Sequence, residues 1–288
     1  MTMQESAADG AVEAIVLGSG TPNPTPGRAG AGLAVAAGGD WVLVDCGRGV
    51  TQRALDAGLD LGRLRLVAIT HHHSDHLSDL ATLAIARWVA GAGSPLTVVA
   101  PVGPSADHAR RCLDAFPDGS FHGQASDPAS PRPGVAVHAF AAGGAVAGVW
   151  EAGGWRLSSA LVDHHPVSPA VGYRVQRGAA TVAVSGDTAA CAGMAALATG
   201  ADVLVHEAVL TERASPALLA WNAGARTVGE LATSAGAGSL VLTHLLPAPT
   251  SPELAAAYVA EVRAGGYGGP VVVADDLARI PARPGPEP

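Results

Sequence analysis

Short runs of β-branched and apolar residues, bounded by Gly, Pro or Asp, recur along almost the whole chain. The runs at 11–17, 32–37, 41–45, 66–70 and 96–100 predict a first set of strands. Those at 135–140, 155–162, 171–175, 181–185, 202–206, 240–243 and 271–274 predict a second. Between them, apolar residues spaced three and four apart predict amphipathic helices over 50–57, 76–90, 105–115, 189–198, 227–235 and 252–263. Helix starts are marked by Ser74 or Asp75 and by Ser251-Pro252, where a capping side chain precedes a first-turn proline. Strands come first mostly in series and then alternate with helices, the order of a layered α/β protein. The Pro- and Gly-rich stretch 127–134 reads as a loop between the halves, and 281–288 as a disordered tail after one domain spanning 1–280.

Composition changes this picture mainly by exclusion. The 288 residues are 48% apolar, enough to bury a large core. With 17 Lys and Arg against 25 Asp and Glu the net charge is −8, which disfavours a partner held through many phosphate contacts. The three cysteines, Cys46, Cys112 and Cys191, are odd in number and far apart, as in a reducing compartment. The first ten residues carry neither a cationic nor an apolar signal region, and no apolar run is long enough to span a membrane. A cytoplasmic protein without membrane contact is expected.

The candidate chemistry sits at 69–80, I-T-H-H-H-S-D-H-L-S-D-L, directly after a predicted strand. Alternate residues of an extended segment project to one side, so His71 and His73 can converge on an ion while His72 points away. The turn that follows lets Asp75 and His76 face a second ion. Imidazole and carboxylate suit zinc, and also accept manganese or iron. About four ligands per ion are needed, so further ligands must come from downstream. Three places offer them: His164-His165, Asp187 in S-G-D-T, and His244 in L-T-H, each just past a predicted strand.

As an ordered set these motifs resemble the metallo-β-lactamase superfamily. L-G-S-G-T-P-N-P near the N-terminus, L-V-D-C-G-R-G-V-T-Q-R at 43–53, D-H-H-P-V-S-P-A-V-G-Y-R-V at 163–175 and V-H-E-A at 205–208 are similar to its ribonuclease Z-like branch. The resemblance runs from about Ile15 to Ile280. It implies a four-layer αββα sandwich and two zinc ions, one held by His71, His73 and His164, the other by Asp75, His76 and His244, with Asp187 bridging. A nine-residue spacing to Tyr173 favours His164 over His165. The implied activity is hydrolysis of a phosphodiester or related ester by a metal-bound hydroxide that Asp75 orients. Glu207 would assist the leaving group together with a histidine.

Two departures bear on the substrate. Where that histidine is expected the chain has Asn222, which donates a hydrogen bond but is no acid near neutral pH. The flexible arm that clamps tRNA in such enzymes would follow Gly172-Tyr173-Arg174, yet only a hairpin fits before Asp187. A small-molecule or short phosphodiester substrate is therefore expected ahead of tRNA. The alternatives are a hydrolase of sulfate esters, lactones or thioesters and a non-catalytic metal-binding domain. Homodimers are common among similar proteins.

Overall fold

A computed structural model describes residues 11–116 and 132–282. The predicted loop residues 127–131, His122, and 283–288 of the predicted tail lie outside the described residues. The chain runs β1 (Val12–Gly18), β2 (Gly32–Ala37), β3 (Asp40–Val44), α1 (Val50–Asp56), β4 (Leu64–Ala68), α2 (Ser74–Leu77), α3 (Leu80–Val89), β5 (Leu96–Pro101), α4 (Pro104–Arg111) and β6 (Val135–Phe140). It continues through β7 (Ala147–Ala152), β8 (Trp155–Leu161), β9 (Val171–Arg177), β10 (Ala180–Val184), α5 (Ala192–Ala198), β11 (Val203–Val209), α6 (Pro216–Leu219), α7 (Ala225–Ala235), β12 (Ser239–Leu246), α8 (Pro252–Ala264), β13 (Val271–Val273) and β14 (Arg279–Ala282).

The strands form two seven-stranded sheets, ordered β14-β1-β2-β3-β4-β5-β6 and β13-β12-β11-β10-β9-β8-β7. Side chains alternate across each sheet, so every central strand feeds two apolar layers. On β1, Val12, Ala14 and Val16 enter the layer between the sheets with Val182, Val203 and Val241, while Ile15 and Leu17 face α1 and α3. A third layer packs Ala183, Leu204 and Leu240 against α5, α7 and α8. Three apolar layers separated by two sheets make the four-layer αββα sandwich.

Two strands escape the sequence pattern. β7 is an exposed edge strand without apolar alternation, and β14 contains Pro281, tolerated because the strand is an edge pairing only with β1. Order thus extends two residues into the tail expected from Pro281. The helix expected over 76–90 is divided into α2 and α3. Between them the Asp79 amide donates to Cys46 O (3.0 Å) and its carboxylate accepts from the Thr51 amide (2.8 Å), ties that a continuous helix would not make. The parallel strands β3-β4-β5 and β10-β11-β12 end their C-termini at one rim of the sandwich.

Candidate metal centre

At that rim, side chains from five segments meet. His71 and His73 follow β4, Asp75 and His76 lie in α2, His164 follows β8, Asp187 follows β10, and His244 lies within β12. One ligand atom each from His71, His73, His164 and Asp187 lies within 4.8 Å of the others, and the same holds for Asp75, His76 and His244. Asp187 faces both groups. Its Oδ2 is 3.9 Å from His71 Nε2 and 3.8 Å from His164 Nε2, and its Oδ1 is 3.4 Å from His76 Nε2 and 3.5 Å from His244 Nδ1. His244 Nε2 is 3.1 Å from Asp75 Oδ2. His164 is buried while His165 is exposed, so only the former joins the cluster.

The ring nitrogens test whether the cluster fits a cation. His76 Nδ1 donates to Asp45 Oδ2 (2.8 Å). The Thr70 hydroxyl donates to the same oxygen (2.8 Å), so it can only accept from His71 Nδ1 (3.0 Å). His164 Nδ1 donates to the Trp221 carbonyl (3.0 Å). These bonds turn Nε2 of all three rings toward Asp187, the nitrogen left to bind a cation when Nδ1 carries the ring proton. His71 Nε2, His76 Nε2, His244 Nδ1 and Asp187 Oδ1 are buried without a hydrogen-bond partner. Buried orphans are rare unless something outside the polypeptide satisfies them, and divalent cations are what this donor set takes.

The Beta-lactamase superfamily domain model matches residues 40–245, a span that runs from just before Asp45 to just after His244. Ribonuclease Z of Mycobacterium bovis (strain BCG / Pasteur 1173P2) is 35% identical over 287 residues, covering 95% of this chain and 99% of that protein. The chain belongs to the beta-lactamase superfamily, on its ribonuclease Z branch. Two solved structures share the fold of this superfamily member. The metallo-beta-lactamase fold protein YhfI from Bacillus subtilis superposes with a TM-score of 0.72 at 20% identity, covering 94% of this chain and 99% of that one. Human tRNase Z, short form, superposes with a TM-score of 0.70 at 19% identity, with the same coverage.

Membership of the superfamily and the His/Asp cluster together make this a divalent-metal protein, and the electrostatics agree. Burial, followed by the neighbouring His76, holds His71 well below the ordinary imidazole range, and burial lowers His73 as well. Both are neutral near pH 7, as ligands must be. Burial also opposes charge on His76, but Asp187 and Asp45 outweigh it and raise its pKa. A cation placed between those carboxylates would displace that proton. Burial would neutralise Asp187, yet His244 and His76 keep it ionised.

Glu207, at the C-terminal end of β11, is buried. Desolvation and then the charge of Asp187 push its pKa well above the usual carboxylate range. Its Oε1 accepts from the Thr188 amide (2.8 Å), and its Oε2 has no partner. A cavity of about 40 Å³ is lined by His76, Asp187, Glu207 and His244 together with apolar residues such as Leu33 and Val184. Asn222 is buried nearby, but its amide donates to Leu218 O (3.1 Å), and no hydrogen bond joins it to Glu207 among the described residues. His206 donates through Nδ1 to Glu207 O (2.7 Å) and belongs to neither ligand group.

The residue that sequence reasoning passed over is Asp45. It lies in the D-C-G segment, 3% exposed, in a left-handed conformation (φ 61°). Besides His76 and the Thr70 hydroxyl it accepts from the Thr70 amide (2.8 Å), and so sets the tautomers of two rings at once. The available signal was a lone acid at a strand end inside an otherwise apolar stretch.

Proposed function

We propose that the chain is a dinuclear zinc-dependent phosphodiesterase with ribonuclease Z-like machinery. The observation that supports this most is Asp187, whose two oxygens each face a separate histidine group. In this reading His71, His73 and His164 would hold one ion and Asp75, His76 and His244 the other, with Asp187 available to both. Two bound divalent ions supply an acidified water and neutralise charge building on the phosphoryl oxygens. Asp75, 3.6 Å from His76 Nε2 and 3.1 Å from His244 Nε2, would also orient the nucleophile. Glu207, whose pKa burial and Asp187 raise in the metal-free chain, borders the same cavity as His76, Asp187 and His244 and would assist the leaving oxygen.

Zinc-reconstituted protein should contain two zinc per chain and hydrolyse bis(p-nitrophenyl) phosphate. His73→Ala should abolish that hydrolysis with the fold retained by circular dichroism, and a surviving rate would sink the reading. A second reading, a small phosphodiester as substrate rather than precursor tRNA, is favoured by Asn222 and by the β9–β10 connection, which is only the turn Gly178-Ala179. Efficient trailer removal from precursor tRNA at physiological salt would overturn it.

A further inference from the structure

We propose that Asp276, remote from the ligands in sequence and touching none of them, is a positioning residue for the Asp75/His76/His244 half of the centre. The inference rests on the two-ion reading above. The Asp276 side chain is 5% exposed and gathers three segments. Its Oδ1 accepts from the Ser19 amide (2.9 Å) and hydroxyl (2.8 Å). Its Oδ2 accepts from the Ala29 amide (2.8 Å) and from Arg53 Nε (2.9 Å).

Two of the three clasped segments, those of Ser19 and Ala29, continue into a backbone contact with one of these ligands. The β11–β12 ladder skips a residue between Glu207 and Ala208, leaving His244 unpaired in it with φ 49°. A residue with a Cβ enters that region only under constraint. The amide that the skipped pair frees donates to the carbonyl of Ser19 (3.2 Å). On the other side, Ala29 leads through Gly30 to Ala31, whose amide donates to the carbonyl of Asp75 (2.9 Å). Glycine is required there, because a Cβ on Gly30 would lie 2.8 Å from Asp75 O. Asp276 therefore stands behind both Asp75 and His244. The other ligand group is pinned independently, His71 by Thr70 and His164 by the Trp221 carbonyl.

An amide can accept on one side only, so Asp276→Asn must release either Ser19 or the Ala29–Arg53 pair. The test is competitive zinc titration of the whole protein against a fluorescent chelator, with urea unfolding of the metal-free forms alongside. The expected result is one zinc bound with wild-type affinity and the second weakened by about 10- to 100-fold, the range for removing a supporting hydrogen bond behind a ligand. The weakened ion should be recovered at excess zinc. Two zinc bound with wild-type affinities, or both weakened equally, would overturn the inference alone. A wild-type chain that binds fewer than two zinc would overturn the two-ion reading and this inference with it. Should Asp276→Asn fail to fold, Ser19→Ala makes the same test. It removes a hydroxyl bonded to both Asp276 and Arg28 (2.7 Å), and weakening of one ion only is again expected. Unchanged titration of a folded Ser19→Ala would overturn the inference.

Discussion

Replacing Asp45 separates its contribution to folding from its contribution to metal binding. Asp45→Ala leaves the Thr70 amide and His76 Nδ1 buried without acceptors, since the Thr70 hydroxyl alone can rotate. Two such orphans, and a Cβ residue without a side-chain carbonyl at φ 61°, should cost the metal-free protein about 3–7 kcal/mol. Asp45→Asn is different. With its oxygen kept on the Thr70 amide, its NH₂ falls where Oδ2 stood, facing His76 Nδ1 and Thr70 Oγ1. His76 must then accept on Nδ1 and carry its proton on Nε2, the atom 3.4 Å from Asp187. The Thr70 hydroxyl, now accepting, is free to donate to His71 Nδ1, and the second ring reverses too. Asp45→Asn should therefore lose less stability than Asp45→Ala without metal, the loss being that of the carboxylate charge facing His76, yet bind zinc about 10- to 100-fold more weakly, roughly 1.4–2.7 kcal/mol per ion. Urea midpoints of the metal-free proteins and zinc titrations read the two effects. Wild-type zinc affinity in Asp45→Asn, or an unchanged urea midpoint in Asp45→Ala, would refute the tautomer argument.

Burial pushes His206 down to about 4, so its neutral form stabilises the fold above the unfolded value near 6.5, and that contribution is lost as pH falls toward 4. Metal-free His206→Asn should lack about 3 kcal/mol of the wild-type stability change between pH 7 and pH 4, read by denaturation at several pH values; an unaltered pH slope would argue against a buried neutral ring. Asn222→His restores the histidine that the resemblance expects to work with Glu207 and should raise cleavage of an RNA phosphodiester by about 10²-fold or more; no gain in single-turnover rate would remove a relay through residue 222. A Cβ on Gly47 would lie 1.9 Å from the carbonyl of Asp75, so Gly47→Ala should destabilise by about 3 kcal/mol or more and weaken zinc binding, both seen in the same titrations.

The seven ligand candidates were legible in the chain because metal chemistry admits few side chains, and each of the seven falls at or near the C-terminal end of an apolar run. His71 and His73 could be read from alternation alone, and the runs themselves foretold twelve of the strands and the layered class, because a strand covered on both faces must be apolar along its whole length. Strands β7 and β14 left no such run, since β7 is largely exposed, β14 buries only every second residue, and its proline costs an edge strand nothing. His164 was favoured over His165 by its spacing to Tyr173, but that Asp187 turns one oxygen toward each group depended on the sheets bringing the ends of β4, β8, β10 and β12 to one rim. The same is true of Asp45 and Asp276. Their hydrogen bonds close over as many as 257 positions, and local sequence cannot encode a partner that only the assembled sandwich brings within 3 Å.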